Sequence, residues 1–481
     1  MPGAAIALRG MPGQVLRRRE KAMTGDASPR THPHWQERLL RPFADVRAGE
    51  AATALALAGT LFLLLTAYYL LKVIREPLIL MSGGAEVKAY AAVGQALLLL
   101  PVLRMHGAVA RRVGRLALIA AVLLFVATNL LLFAGLLRVA VPIGLPFYLW
   151  VGTFNYLLVA TFWSFANDIY TPEQGKRLFA IVGVGSSIGA LAGAALAGWL
   201  LHRLSPVHLM LIAAAIIGVA VIPFAWLDRQ TRRRRAGGGE NAVQAAEPLT
   251  GPGGFQALMA DPYLLLIALF TLLASWLLNS SEYVLDKTLI DFARSGTHGI
   301  ADPARFVGQF KASYFWWVNL VGVVGQLFVV SRLLKHLGVG GALCLLPIVS
   351  MLGASAVVVL PALGLIRVAK TAEKGLEYSL HTTGLNALFL VVSRDAKYKA
   401  KAVIDTFVVR AGDVCCAAAI WIGVRHGFHA RGFAALNLLL AIVWFTVALR
   451  MRALHRSRSG EPAPSVEHGA PAVASGCAAV P

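Results

Sequence analysis

The sequence predicts an all-α, polytopic membrane protein with about twelve transmembrane helices. Hydrophobic residues make up 57% of the 481 residues and charged residues only 14%, against roughly 25% charged in a soluble domain. Mean hydropathy is +0.67, and apolar runs of about 20 residues, the length that crosses a bilayer, recur along the chain. This composition excludes a soluble enzyme and an intrinsically disordered chain.

Six apolar segments precede a polar gap and six follow it. The first set is 51–76, 87–103, 116–137, 146–166, 178–201 and 206–227, and the second is 263–287, 306–331, 341–361, 362–392, 403–424 and 430–450. We call these predicted spans 1 to 12. They predict a six-helix bundle over residues 51–227 and another over 263–450, lying in a lipid bilayer.

The remaining segments are polar and are predicted to be cytoplasmic. They are a basic N-terminal segment (1–50), a linker rich in Arg, Gly and Pro (228–262) and a disordered tail (451–481). The run from Ala51 is too long and begins too late for a cleaved signal peptide, so it is interpreted as the first span. Met11 and Met23 are plausible alternative starts to Met1.

The formal net charge of +21 is explained by where the basic residues lie relative to the predicted spans. Lys and Arg in the two termini and the even-numbered connections far outnumber those in the odd-numbered connections, which predicts a multi-pass membrane protein with both termini cytoplasmic. This distribution explains the charge without a nucleic-acid partner. The four cysteines show no metal-ligand spacing, and we expect neither a structural disulfide nor a metal site.

Charged residues inside three predicted spans mark the candidate site. A charge at a helix centre costs about 2.5–3.5 kcal/mol on insertion scales, so such residues should face protein or water. In span 10 the charged residues share one helical stripe, and the ends of spans 1 and 7 carry further polar stripes. By contrast, spans 2, 3, 5, 6, 8, 9 and 12 are interpreted as almost free of internal charge. The candidates for substrate binding or an outer gate in these three spans are Tyr68, Lys72, Arg75, Glu76, Asn279, Glu282, Asp286, Arg367, Lys370, Glu373, Lys374 and Glu377. Arg410 and Asp413 in span 11 are further candidates.

Two roles stay open for this charged set. Positive and negative members are balanced, which suits ion pairs that exchange partners as an outer gate opens and closes. Direct contact with a substrate or proton is the alternative. The expected arrangement pairs Lys72, Arg75, Lys370 and Lys374 with the acids Glu76, Glu282, Glu373 and Glu377 in an outward-closed state.

Spans 4 and 5 carry polar and small residues of different predicted roles. Asn155 in span 4 is a candidate for a substrate hydrogen bond or for helix–helix bonding. Gly185, Gly189 and Gly193 recur every four residues in span 5 and predict close helix packing. The sequence has no phosphate-binding GxxxxGK[ST] loop and no HExxH metalloprotease motif. We therefore predict a protein that is not an enzyme and has no cofactor or metal.

The two halves resemble each other around two loops, 222 residues apart in sequence. Thr171-Pro-Glu precedes Lys176-Arg177, and Ser393-Arg-Asp precedes Lys397. Two parallel six-helix repeats are the architecture of major facilitator transporters. In that fold, helices 1, 4, 7 and 10 line the transport pathway, which includes the three charged spans.

Specific strings resemble the ATP/ADP translocase family. These are Tyr-Tyr-Leu-Leu-Lys-Val-Ile-Arg-Glu at 68–76, Phe-Trp-Ser-Phe-Ala-Asn at 162–167 with Glu-Gln-Gly-Lys-Arg-Leu-Phe at 173–179, and Glu-Tyr-Ser-Leu at 377–380 with Lys-Tyr-Lys-Ala-Lys at 397–401. The resemblance covers roughly residues 50–450. It implies a facilitator-like antiporter exchanging nucleotides, with Arg75 where the exchangers have a substrate-contacting lysine.

The sequence also departs from those exchangers. It lacks their helix-4 carboxylate near Val151, and Asp413 stands where a lysine is expected; the string from Arg410 to Asp413 looks more like the free-living bacterial branch. We therefore expect a monomeric secondary transporter of the bacterial inner membrane with a small, anionic substrate. Nucleotide exchange, transport of another organic anion or metabolite with or without proton coupling, and a transport-inactive sensor or assembly module stay open.

Overall fold

The computed structural model describes residues 47, 50–236, 254–295, 299–392 and 394–459. Its regular elements are helices. In the first half they are α1 (Ala51–Ala110), α2 (Arg115–Arg138), α3 (Gly144–Ile169), α4 (Pro172–Leu201) and α5 (Pro206–Ala236). In the second half they are α6 (Gly254–Ala260), α7 (Pro262–Arg294), α8 (Pro303–Val324), α9 (Val330–Leu343), α10 (Leu345–Val359), α11 (Leu363–Leu376), α12 (Thr382–Leu388), α13 (Arg394–Val403), α14 (Val409–Arg425) and α15 (Ala430–Ser459).

Nine of the described helical segments are long and apolar enough to cross a membrane. The all-α, multi-span fold class predicted from composition is therefore confirmed. The count of twelve stays a prediction, because two predicted spans share α1 and others are built from shorter consecutive helices. Three π-helical turns contribute to that segmentation in the second half, at Gly325–Val329, Glu377–His381 and Ile404–Val408.

The chain folds back within α1 at Gly84. This glycine has φ +77° and ψ −179°, a combination essentially confined to residues without a Cβ. In a straight helix the twelve residues from Glu76 to Lys88 would span about 18 Å, yet Lys88 Nζ lies 2.5 Å from a Glu76 carboxylate oxygen. Predicted spans 1 and 2 thus lie on the two sides of a tight reversal.

Small residues let α4 pack closely against α1. A methyl group added at Gly185 would lie 2.1 Å from the carbonyl oxygen of Ala58, and one at Gly189 2.5 Å from that of Phe62. At Gly193 it would lie 2.6 Å from the Thr66 carbonyl oxygen. The predicted glycine stripe therefore lies where two backbones approach each other without intervening side chains.

Two helices of the second half begin with the same local signal. In each case an aspartate directly precedes a proline. Asp261, before Pro262, accepts a hydrogen bond from the Tyr263 amide, and Asp302, before Pro303, accepts one from the Arg305 amide. An aspartate at the N-cap followed by proline is a strong helix start. These starts fix the register of α7 and α8, which carry the acids and the lysine of the site described below.

The predicted polar segments lie largely outside the described residues. These include residues 1–46, with Met11 and Met23, and residues 460–481, with Cys477. Helix α5 continues to Ala236, so the first part of the predicted linker is helical. Asp228 stabilises this extension by accepting hydrogen bonds from Arg115 and from Arg232 one turn on.

Candidate functional site

A buried layer of charge joins the two halves of the molecule. We use the name charged layer for Glu76, Lys88, Glu282, Asp286 and Lys311. Lys311 is 0% exposed, Glu76 and Asp286 are each 1% exposed, and Lys88 is 7% exposed. A buried ion that lacks a partner destabilises a protein strongly, so these groups depend on one another.

The ion pairs of the charged layer cross from one half to the other. Lys88 Nζ, in the first half, lies 2.6 Å from Asp286 and 3.3 Å from Glu282 in the second half. Lys311 of the second half pairs with Asp286 and lies 3.8 Å from Glu76 of the first half. The three carboxylates lie within 4.8 Å of one another. The two ammonium groups supply positive charge there, which makes the layer an ion-pair network.

Two members of the layer correct the sequence interpretation. Predicted spans 2 and 8 were expected to be almost free of internal charge, yet Lys88 and Lys311 are both buried in the layer. Lys88 lies at the start of predicted span 2 and was not among the candidate site residues, because hydropathy does not show how tightly the chain reverses at Gly84. Lys311 stands alone in an apolar segment, and an isolated intramembrane lysine was itself a signal for a functional or paired charge.

Further contacts reinforce the same end of the molecule. Glu86, near the reversal, accepts hydrogen bonds from Lys287 at 2.7 Å and from the Tyr283 hydroxyl at 3.0 Å. Arg294 donates to the carbonyl oxygen of Met81 at 2.9 Å. Deeper in the molecule, the Tyr69 hydroxyl donates to the Asn319 side chain at 2.9 Å. Both halves are therefore held together at the end that contains Gly84.

A central cavity of about 440 Å³ begins beneath the charged layer. This volume falls within the roughly 300–1,000 Å³ typical of small-molecule sites. Both halves contribute to its wall. From the first half come Tyr68, Lys72, Arg75, Lys88, Tyr148 and Tyr156; from the second come Asn279, Glu282, Asp286, Tyr314, Phe315, Lys374, Glu377, Tyr378, His381, Arg410 and Asp413.

The two ends of the cavity differ in exposure. At the layer end Arg75 is 9%, Lys88 7% and Asp286 1% exposed, whereas Tyr378 is 42% and Tyr156 49% exposed. The cavity is thus closed towards Gly84 and wider away from it. Tyr156 and Arg410 approach each other across it, with the guanidinium 3.3 Å from the hydroxyl.

The π-helical turn Glu377–His381 shapes one wall of the cavity. It continues directly from α11 and holds three lining residues, Glu377, Tyr378 and His381. A π turn inserts an extra residue into the helical repeat and rotates the following side chains, a device found often at functional sites. Lys374, one turn earlier, pairs with Glu377 at 2.7 Å.

Asp413 organises the wall opposite α3. Its carboxylate accepts hydrogen bonds from Asn279 at 2.7 Å, from Ser275 at 2.8 Å and from Arg410 at 2.8 Å. Asp413 is only 5% exposed, and these three donors satisfy its carboxylate, as is usual for a buried charged group. The candidates Asn279, Arg410 and Asp413, from predicted spans 7 and 11, therefore form one connected group.

The charged stripe of predicted span 10 does not face a single cavity. Lys370 donates to the Leu278 carbonyl oxygen, to Ser281 and to Glu373, each at 2.6 Å, inside the second half. Arg367 donates to Ser313 near the helix start. The stripe covers about 120° of the helix circumference, so the side chains at its two edges contact different neighbours. Of its five members, Lys374 and Glu377 line the central cavity.

Two other expectations differ from the geometry. Lys72 was expected to pair with an acid, but its Nζ lies over the rings of Phe315, at 4.3 Å, and Tyr69, at 4.9 Å. Within the described residues no carboxylate reaches ion-pair distance of Lys72. Asn155 is half-buried beside the cavity, and its neighbour Tyr156 lines the wall instead.

The chain is distantly similar to curated carrier proteins. It is 24% identical over 355 residues to "ADP,ATP carrier protein 1" of Chlamydia trachomatis, covering 63% of this chain and 64% of that protein. It is 22% identical over 298 residues to the protein of the same name from Chlamydia pneumoniae, covering 54% and 56%. The chain therefore spans less than two thirds of the length of these relatives. No family model matches it.

Solved transporter structures share the fold. The nucleoside transporter NupG matches with a TM-score of 0.61 at 14% identity, covering 84% of this chain and 98% of NupG. A bacterial homologue of the human lysosomal transporter Spinster, in an inward-facing and unoccupied conformation, matches with a TM-score of 0.55 at 13% identity. The match covers 88% of this chain and 100% of the homologue. The POT family transporter PepTSo matches with a TM-score of 0.56 at 14% identity, covering 84% of this chain and 98% of PepTSo. This multi-span membrane protein therefore has the fold of the major facilitator-type transporters.

Proposed function

We propose that the protein is a secondary transporter that moves an organic anion across the bacterial inner membrane by alternating access. The observation that carries this proposal is a cavity lined by both halves and closed at one end by cross-half ion pairs. With both termini cytoplasmic, as the distribution of Lys and Arg favours, the charged layer lies on the external side. The cavity then opens towards the cytoplasm, and the described state is the inward-facing one.

Ion pairs make this closure reversible. Separating the halves at the layer would expose Lys88 and Asp286 to water, which solvates them, so opening exchanges buried pairs for hydration. Removing one partner while the other stays buried costs about 3–5 kcal/mol. A layer of matched charges can therefore open as a unit but resists partial opening. A substrate shifts the balance only through a difference in its affinity for the two states.

Exchange of ATP for ADP is the second candidate function. The named carriers from Chlamydia favour it, and so does the position of Arg75 in the cavity wall. Arg75 lies over the Tyr148 ring at 4.5 Å and 3.3 Å from Glu76. The free-living branch suggested by the string from Arg410 to Asp413 favours a different anion, because Asp413 places a negative charge in the wall.

Alternating access is tested by sided chemical labelling. A Thr382→Cys variant, built after the four native cysteines are replaced by alanine, places one thiol in the cavity wall. In inside-out and right-side-out vesicles we expect a membrane-impermeant maleimide to react mainly from the cytoplasmic side. Ser331→Cys, on an exposed residue near the start of α9, serves as a control that should react from that side in any state.

Disruption of the layer completes this test. Lys311→Met in the Thr382→Cys background should increase labelling from the external side several-fold, whereas Ser331→Cys should not respond. Equal labelling of Thr382→Cys from both sides in the otherwise unaltered protein would indicate an open pore. A label that never reaches the cavity from outside, even without Lys311, would argue against a gate at the layer.

Nucleotide exchange is tested in proteoliposomes. Labelled ATP is supplied outside vesicles preloaded with ADP, beside vesicles containing Arg75→Ala. Uptake that requires internal ADP and is lost in the variant would establish the exchange. No uptake by protein shown to be folded would reject it and leave other organic anions.

A further inference from the structure

We propose that the central cavity binds an organic anion with a single negative charge and a planar apolar body, and that Lys72 holds its charged group. This inference rests on the proposed function, because it takes the cavity as the substrate site. It goes further by naming the class of substrate. The supporting observations are the pairing of each lining cation, the net charge of the wall and the polar atoms that lack partners.

Lys72 differs from the other lining cations in having no acidic partner. Its ammonium group lies over the rings of Phe315 and Tyr69 at 4.3 and 4.9 Å, and within the described residues no carboxylate approaches it. Cation–π contact compensates a desolvated ammonium only in part. An anion entering the cavity would complete its coordination.

The remaining lining cations are already paired. Arg75 lies 3.3 Å from Glu76, Lys374 2.7 Å from Glu377 and Arg410 2.8 Å from Asp413; Lys88 is held by three acids of the charged layer. These four side chains are positioned by their acids and are not free to neutralise a substrate. The position for an added negative charge is therefore at Lys72.

The wall carries one positive charge in excess. Its cations are Lys72, Arg75, Lys88, Lys374 and Arg410, and its acids are Glu282, Asp286, Glu377 and Asp413. Glu76 and Lys311, behind the wall, cancel each other. A polyphosphate could be neutralised only by taking cations from their acids. Each acid left buried without its partner would lower affinity by a factor of about a hundred or more.

Other features of the wall fit a planar organic group. Six tyrosines line it together with Phe315, namely Tyr68, Tyr148, Tyr156, Tyr283, Tyr314 and Tyr378. Among the described residues, the Tyr314 hydroxyl and His381 Nδ1 have no hydrogen-bond partner, although these side chains are only 1% and 7% exposed. Buried polar atoms are normally satisfied, so these two point to a ligand that bonds with them.

A charge series on one molecular body tests the proposal. Binding to the purified full-length protein is measured by titration calorimetry with 2-naphthalenemethanol, 2-naphthoate, 2,6-naphthalenedicarboxylate and ATP, which differ mainly in charge except for the last. We expect 2-naphthoate to bind roughly tenfold or more tightly than the neutral alcohol, the difference typical of a hydrogen bond to a charged group. It should also bind more tightly than the dicarboxylate and ATP.

Variants assign the charge preference to Lys72. In Lys72→Gln the preference for 2-naphthoate over the alcohol should disappear, while Lys72→Arg should keep it. Lys335→Gln, on an exposed residue of α9, is the matched control and should bind as the unaltered protein does. Thermal unfolding confirms that each variant is folded.

The outcomes separate this inference from the proposed function. Tighter binding of the dicarboxylate or ATP, or no binding of 2-naphthoate by the folded unaltered protein at millimolar concentration, would overturn the monoanion assignment. Neither result touches alternating access, because sided labelling of Thr382→Cys needs no ligand. Loss of sidedness with an intact charge preference would instead reject the transport cycle and keep the site.

Discussion

Lys311 shows how much one side chain contributes to this fold. Its ammonium group is fully buried on α8, two turns after Pro303, and pairs with Asp286 on α7. Moving an ammonium ion from water into a protein costs several kcal/mol even after relaxation. That cost is offset here because the acids Glu76 and Glu282 also lie within 4.0 Å.

Replacement of Lys311 should therefore be strongly destabilising. Lys311→Met keeps the volume but leaves Asp286 and its neighbours with excess negative charge, and we expect a loss of about 3–5 kcal/mol. The midpoint of thermal unfolding in detergent, compared with Lys335→Met on an exposed site, measures this loss. Lys311→Met combined with Asp286→Leu should recover much of the stability. A double variant as unstable as the single one would mean that the charge balance is not the cause.

At this scale the sequence predicted residue types better than partners. Glu76, Glu282 and Asp286 were recognised as intramembrane charges, and the structure brings them together. Their lysine partners were missed, because partner choice depends on a chain reversal at Gly84 and on the rotation of α8. The predicted spans leave a connection at 77–86, but hydropathy gives neither the tight geometry of that connection nor the side of α8 that faces the layer.

The packing of α1 against α4 illustrates the scale of a helix pair. A Cβ at Gly185 would meet the Ala58 backbone at 2.1 Å, whereas a Cβ at Gly183 would meet nothing within 4 Å. Gly183→Ala should be neutral or stabilise by up to about 1 kcal/mol through helix propensity. Gly185→Ala must push two helices apart and should lower the unfolding midpoint by several degrees. Equal midpoints for the two variants would contradict backbone-to-backbone packing at Gly185.

The start of α7 carries a pH-dependent contribution to stability. Two hydrogen bonds from Arg458, at 2.6 and 2.8 Å, outweigh burial and hold the pKa of Asp261 below its ordinary value. Because the pKa of Asp261 is lower in the folded than in the unfolded protein, its charge stabilises the fold at any pH above the unfolded-state pKa. This stabilisation is lost as the pH falls through the folded-state pKa. Asp261→Asn keeps a helix cap but removes the charge.

Unfolding midpoints measured against pH test this contribution. Asp261→Asn should be less stable than the unaltered protein at pH 6, and the difference should shrink as pH falls below about 4. Asp302→Asn is a matched control, since it also caps a helix but lies 3.9 Å from its arginine at an exposed site. A difference that is independent of pH would assign the effect to capping geometry instead of charge.

Element boundaries were predicted well where hydropathy alone sets them. The predicted spans 116–137 and 146–166 fall inside α2 and α3 with short overhangs. Predicted spans 8, 10 and 11 each contain a π turn, and Gly338, which has φ +68°, lies in the connection between predicted spans 8 and 9. At one of these irregularities the Ser379 hydroxyl donates to the Gly375 carbonyl oxygen four residues earlier, a side-chain-to-backbone bond of the kind that often bends helices.

At the scale of the whole molecule, the contact between Glu86 and Lys287 holds the halves together outside the charged layer. A Glu86→Lys substitution should place two cations in contact and raise external labelling of Thr382→Cys. The reciprocal double variant, Glu86→Lys with Lys287→Glu, should restore the attraction and return labelling towards its original level. If the double variant labels as strongly as the single one, Glu86 acts through a partner other than Lys287, such as Tyr283.

The glycine reversal also has a consequence for biosynthesis. Because Gly84 folds the chain within one helical hairpin, Glu76 can pair with Lys88 without a contribution from any later segment. Each charge alone would oppose entry into lipid by about 2.5–3.5 kcal/mol. Entering as a hairpin, the acid and the base neutralise each other locally, and the first two segments can leave the insertion machinery together while they wait for Asp286 and Lys311.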